Sequence, residues 1–104
     1  MKEDLLKIIN TYGVLPQLKY FQSEVFELNE AIINAENNRL IGEIRKPSVT
    51  AIKHIAEEIA DVMVMLEQFK NYYDISSEEI TKIFWSKVYR QLDRIEKEEK
   101  NAKN

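Results

Sequence analysis

Two long stretches of this sequence carry apolar residues at alternating steps of three and four. In the first, Leu18, Phe21, Val25, Leu28, Ile32 and Ala35 keep that rhythm. In the second, Ile52, Ile55, Ile59, Val62, Leu66, Phe69 and Tyr73 keep it again. Only a helix brings such positions onto one face, and a face of this kind packs against another helix. The chain has two glycines and two prolines, too few for the tight turns of a many-stranded sheet protein. The pattern predicts an all-α fold.

Four helices are expected, near residues 2–12, 17–37, 49–73 and 77–100. Gly13 suits the position just after the first helix, and Pro16 suits the first turn of the second. Gly42 and Pro47 mark the one substantial connection, in which Leu40, Ile41 and Ile44 offer an extra helical turn. Ser76 with Glu79 forms a capping box for the last helix, whose apolar residues are Ile80, Ile83, Phe84, Val88, Leu92 and Ile95. Residues 96–104 are charged and expected to fray. Ala56, Ala60, Met63, Val64 and Met65 make the third helix apolar nearly all round, the mark of a central helix covered by its own chain or by a partner. At 104 residues the chain fits one domain, a four-helix bundle-like arrangement that self-association would help to stabilise.

The balance of charge narrows the functions available. Fifteen Lys and Arg stand against eighteen Asp and Glu, intermixed; without a broad basic surface, direct nucleic-acid binding is not expected. The absence of cysteine removes disulfides, thiolate metal sites and cysteine nucleophiles. The longest apolar run, Val62 to Leu66, is far shorter than a membrane span needs. The polar, acidic start does not resemble a signal peptide. The expectation is a soluble, cytoplasmic protein with no membrane partner.

Four carboxylates stand in apolar surroundings. Asp61 lies inside Ile59-Ala60-Asp61-Val62-Met63-Val64 and faces partial burial however the helix is turned; Glu58 precedes it by three residues, on the same face. Glu24 and Glu27 repeat that spacing on the second helix, among Val25, Phe26 and Leu28. An unpaired buried charge is costly. If the two helices pack antiparallel the pairs converge, and acids at close range repel unless a cation joins them. An all-oxygen set suits Mg²⁺, or Mn²⁺, rather than zinc or copper. The single histidine, His54, comes four residues before Glu58. One such residue cannot supply the Glu-x-x-His pairs of a di-iron bundle.

Glu24-Val25-Phe26-Glu27-Leu28 and Glu57-Glu58-Ile59-Ala60-Asp61-Val62 together resemble the MazG-like all-α nucleoside triphosphate pyrophosphohydrolases, which carry Glu-x-x-Glu on one helix and Glu-x-x-Asp on the next. The resemblance runs from about Tyr12-Gly13 through Gln17 to Arg94. It implies a helical bundle that forms a homodimer or homotetramer and binds Mg²⁺ at Glu24, Glu27, Glu58 and Asp61. It also implies cleavage of a nucleoside triphosphate to the monophosphate and pyrophosphate. Ser23 stands where many members have a second acid, and the basic-and-tyrosine cluster of some branches is not found in recognisable form.

Substrate contacts are sought among fewer signals. Lys87, Arg90 and Arg94 form a basic row on the fourth helix; it suits phosphate, or equally a solvated face trading ion pairs with Asp93 and Glu96. Gln17, two turns before Glu24, is placed to reach a base edge. Trp85, Tyr72, Tyr73 and Tyr89 offer stacking surfaces. The alternative is a non-catalytic helical interaction or regulatory module of phage or plasmid type, motivated by the apolar surface of the third helix.

Overall fold

The computed structural model describes residues 1–103. They form four α-helices and no strand: α1 (Lys2–Tyr12), α2 (Val14–Ile41), α3 (Val49–Tyr72) and α4 (Ser77–Lys103). No helix among the described residues is long and apolar enough to cross a membrane. The chain divides into two compact units, Met1–Tyr73 and a second that begins at Asp74.

In the first unit α3 packs against both α1 and α2, the position that its apolar composition predicted. Helix α1 is anchored by Ile9, which is fully buried. It stops at Gly13, whose φ of 92° and ψ of 157° suit glycine alone. The Gly13 N–H closes α1 onto the Ile9 carbonyl at 2.8 Å, and the Gly13 carbonyl accepts from the Gln17 N–H at 3.2 Å. One residue therefore ends one helix and starts the next. Pro16 falls within the first turn of α2, where its missing N–H costs nothing. Helix α2 then continues to Ile41, taking up the extra turn offered by Leu40 and Ile41. Ser48 caps α3 by accepting from the Ala51 N–H at 3.1 Å, a signal absent from the sequence reading.

The buried stripes differ from the expected seams. On α2 the inward row is Gln17, Phe21, Glu24, Leu28, Ala31 and Ala35; Leu18, Val25 and Ile32 remain about 40% exposed. On α3 the inward row passes through Ile55, Glu58, Val62, Met65, Gln68 and Phe69, while Ile52, Ile59 and Leu66 remain about half exposed. A one-residue step turns a helix face by about 100°. Each long helix thus has two neighbouring rows, and the row carrying a glutamate and a glutamine faces inward.

The second unit is the helix α4. Ser76 caps it by accepting from the Glu79 N–H at 3.1 Å. None of its residues is buried, and it continues as helix to Lys103, so residues 96–103 are helical. Asp93 pairs with Lys97 at 3.1 Å and Glu96 with Lys100 at 3.5 Å, each one turn on.

Candidate metal centre

Helices α2 and α3 run antiparallel, joined by side-chain contacts near the start of α2 and the end of α3. Gln17 meets Gln68 through a hydrogen bond of 2.7 Å. The Phe21 and Phe69 rings pack edge to face at 5.7 Å. Seven residues beyond Gln17 on α2 is Glu24; seven before Gln68 on α3 is Asp61. The register that joins the two amides therefore brings the acids together as well.

Oxygens of Glu24, Glu58 and Asp61 all lie within 4.8 Å of one another. Glu24 and Glu58 are buried, at 5% and 9% exposure. Each has one oxygen, Oε2, shut away with no hydrogen-bond partner among the described residues. Buried polar atoms are almost always satisfied, so two unsatisfied carboxylate oxygens on facing helices call for a missing partner. A hard divalent cation held by oxygen ligands meets that demand and cancels the repulsion at once. The donor set fits Mg²⁺ or Mn²⁺.

The electrostatics agree. Burial pushes the Glu58 carboxyl above its usual range, and the charges of Glu27, Asp61 and Glu24 add to the rise; His54 alone opposes it. His54 Nε2 lies 4.0 Å from the Glu58 carboxylate and is more than half exposed, outside the group of three acids. The Tyr20 hydroxyl is raised chiefly by its hydrogen bond to Glu24, then by that residue's charge.

Two expectations change. Asp61, expected to be partly buried, is exposed: it sits at the edge of the inward row, and the buried acids are Glu24 and Glu58. Glu27 is also exposed and lies outside the close group of three, although its charge is felt at both Glu58 and Tyr20. The position one turn from Glu24 points further toward solvent because the inward row advances by three and four, from Glu24 to Leu28.

Asp61 opens onto a cleft of about 540 Å³. Ile8 and Tyr12 of α1, Pro16, Gln17 and Tyr20 of α2, and Val64, Met65 and Gln68 of α3 complete it. Gln17 is buried at 8% exposure and Gln68 at 2%; Gln68 also donates to the Met65 sulfur at 3.6 Å. The sequence reading found Gln17 and missed Gln68, Tyr12 and Tyr20. The signal available for Gln68 was its place seven residues after Asp61. Of the aromatics named for stacking, Tyr72 and Tyr73 pack against each other and do not line this cleft, and on the second unit Trp85 packs against Phe84 and Tyr89.

Lys87, Arg90 and Arg94 are exposed on α4. Asp93 and Glu96 pair with Lys97 and Lys100 instead, so the basic row has no acidic partner among the described residues. Compared with known proteins, the chain matches no family model, no curated protein and no solved structure.

Proposed function

We propose that this chain is a Mg²⁺-dependent nucleoside triphosphate pyrophosphohydrolase, of the MazG-like kind that its paired acid motifs resemble. The observation that carries the reading is the convergence of Glu24, Glu58 and Asp61 within 4.8 Å, two of them buried with an unpartnered oxygen. In this reading the three carboxylates hold the cation, Mg²⁺ or in its place Mn²⁺, and Glu27 completes the acidic set. A bound divalent ion would neutralise phosphate charge and lower the pKa of an attacking water. The chain's own groups fix the geometry: burial and the α2–α3 packing hold Glu24 and Glu58, and Tyr20 feels the charge of Glu24. Gln17 lines the cleft beside Asp61; on the second unit, the exposed row of Lys87, Arg90 and Arg94 is of a charge that suits phosphate. Water cleaves the α–β phosphoanhydride bond, and the products are a nucleoside monophosphate, pyrophosphate and a proton. No side-chain nucleophile is required.

The working form in this reading is a cytoplasmic homodimer or homotetramer. The outer apolar rows, Leu18, Val25 and Ile32 on α2 and Ile52, Ile59 and Leu66 on α3, provide surface for it. The same rows favour the second reading, a non-catalytic helical module of phage or plasmid type that binds another protein.

Turnover separates the two. Purified protein is incubated with Mg²⁺ and a panel of ribo- and deoxynucleoside triphosphates, dUTP included, and the products are resolved. Monophosphate plus pyrophosphate, lost without metal, is the expected result. Diphosphate plus phosphate places the cleavage at another bond and refutes the assignment; no turnover favours the interaction module.

A further inference from the structure

The cleft that adjoins the acids has a floor of a different character. Gln17 and Gln68 are both buried there and joined by a 2.7 Å hydrogen bond from Gln17 Nε2 to Gln68 Oε1. That bond occupies one of the two hydrogens on Gln17 Nε2. Gln17 Oε1 and the second hydrogen have no partner among the described residues, and Oε1 is not among the buried, unpartnered atoms. Gln17, which lines the cleft, therefore keeps a neutral donor hydrogen and a neutral acceptor oxygen that Gln68 does not use. Gln68 fixes them, because it is held in turn against the Met65 sulfur. Around this amide the walls are apolar or aromatic: Ile8, Tyr12, Tyr20 and Val64.

Such a site rejects a phosphate, which needs positive charge, and accepts a flat heterocycle. A primary amide presents the donor–acceptor pair that matches a nucleobase edge. Spacing supports the match. Gln17 is seven residues from Glu24, and Gln68 seven from Asp61, which is about 10 Å along a helix. A nucleoside spans that distance from its base edge to its 5′-phosphate.

We infer that the buried Gln17–Gln68 amide pair is the base-reading element of this site, with Gln17 contacting a nucleobase edge that carries a donor beside an acceptor, and Gln68 positioning it. The inference rests on the pyrophosphohydrolase reading and adds to it a specificity element on the first unit alone.

The test compares two substrates in each protein: the best nucleoside triphosphate of the panel and base-free ribose 5-triphosphate. Gln17→Leu, Gln68→Leu and the double Gln17→Leu/Gln68→Leu variant are assayed beside the wild type. The double variant leaves no amide unpaired and so preserves folding, checked by circular dichroism. Each single variant is expected to lose about tenfold or more in kcat/KM on the nucleotide relative to the base-free substrate, mostly through KM. Equal losses on both substrates, or no loss on either, overturn the inference and leave the pyrophosphohydrolase reading standing. A wild type that hydrolyses neither substrate removes that reading, and the base-reading element with it.

Discussion

Glu24 and Glu58 face each other across the α2–α3 interface, both buried, and each keeps one carboxylate oxygen without a hydrogen-bond partner. Apolar residues at these two positions would give the helices a conventional seam, and the flanking rows show that such residues were close at hand. Val25 and Ile59, one step away on each helix, are about 40% exposed. The interface therefore buries acids where it could bury branched aliphatics. Burying them carries a cost that a bound cation would offset.

Asp61 is exposed, so its carboxylate contributes little to metal-free stability. Asp61→Asn is expected to change unfolding free energy in EDTA by no more than about 0.5 kcal/mol, as for other surface positions. The same change should lower Mg²⁺-dependent turnover by about a hundredfold or more, since outer-shell changes at metal sites alone cost up to about that much. Thermal melts and product assays on one preparation check both halves. A fully active Asp61→Asn protein contradicts the site.

Glu58 makes the metal-free protein sensitive to pH, with a definite sign. Its folded-state pKa lies above the ordinary value of 4.5, first because of burial, so the folded state holds this proton more tightly than the unfolded state. The stabilising contribution is complete below the ordinary carboxylate value and is lost as pH rises through the raised one. In EDTA, the melting temperature of wild type relative to Glu58→Gln should fall as pH is raised from about 4 to about 8. Added Mg²⁺ should restore it at the upper end in wild type only. Parallel curves for the two proteins would contradict the assignment.

The helices themselves were legible because their signals are local. Gly13 marked the end of α1, periodicity gave α3 nearly to the residue, and Ser76 with Glu79 gave the start of α4. The rotation of each helix was not legible. Leu18-Val25-Ile32 and Gln17-Glu24-Ala31 are both regular rows, and hydrophobicity alone chooses the first. The structure chooses the second, which the pairing of Gln17 with Gln68 stabilises. The candidate ligands were readable as spacings, whereas the burial of Glu24 and Glu58 and the exposure of Asp61 follow from that rotation. Gln68 escaped notice because its partner lies 51 residues away in the chain.

Gly13 joins α1 to α2 at a backbone conformation that residues with a Cβ rarely adopt. A Cβ there would meet only ordinary contacts, Pro16 Cδ at 3.5 Å, so the cost is conformational rather than steric. Gly13→Ala is expected to destabilise by about 1–3 kcal/mol, read from denaturant unfolding. Because Tyr12 and Gln17 flank the hinge and line the cleft, nucleotide affinity should fall as well. An unaffected midpoint would show that the hinge tolerates other geometries.

The outer apolar rows predict self-association. Sedimentation at micromolar concentration should give a dimer or larger, and Ile32→Lys or Leu66→Lys should shift it toward monomer without loss of helicity. A monomeric wild type would contradict this use of the surface and favour another partner for it.

The central claim is that Glu24, Glu58 and Asp61 form one divalent-cation site. Calorimetric titration of Mg²⁺, and separately Mn²⁺, into metal-free protein tests it most directly. Saturable binding in wild type that is lost in both Glu58→Gln and Asp61→Asn is the predicted result. Absence of binding to the folded wild type, or binding that survives both substitutions, would contradict it.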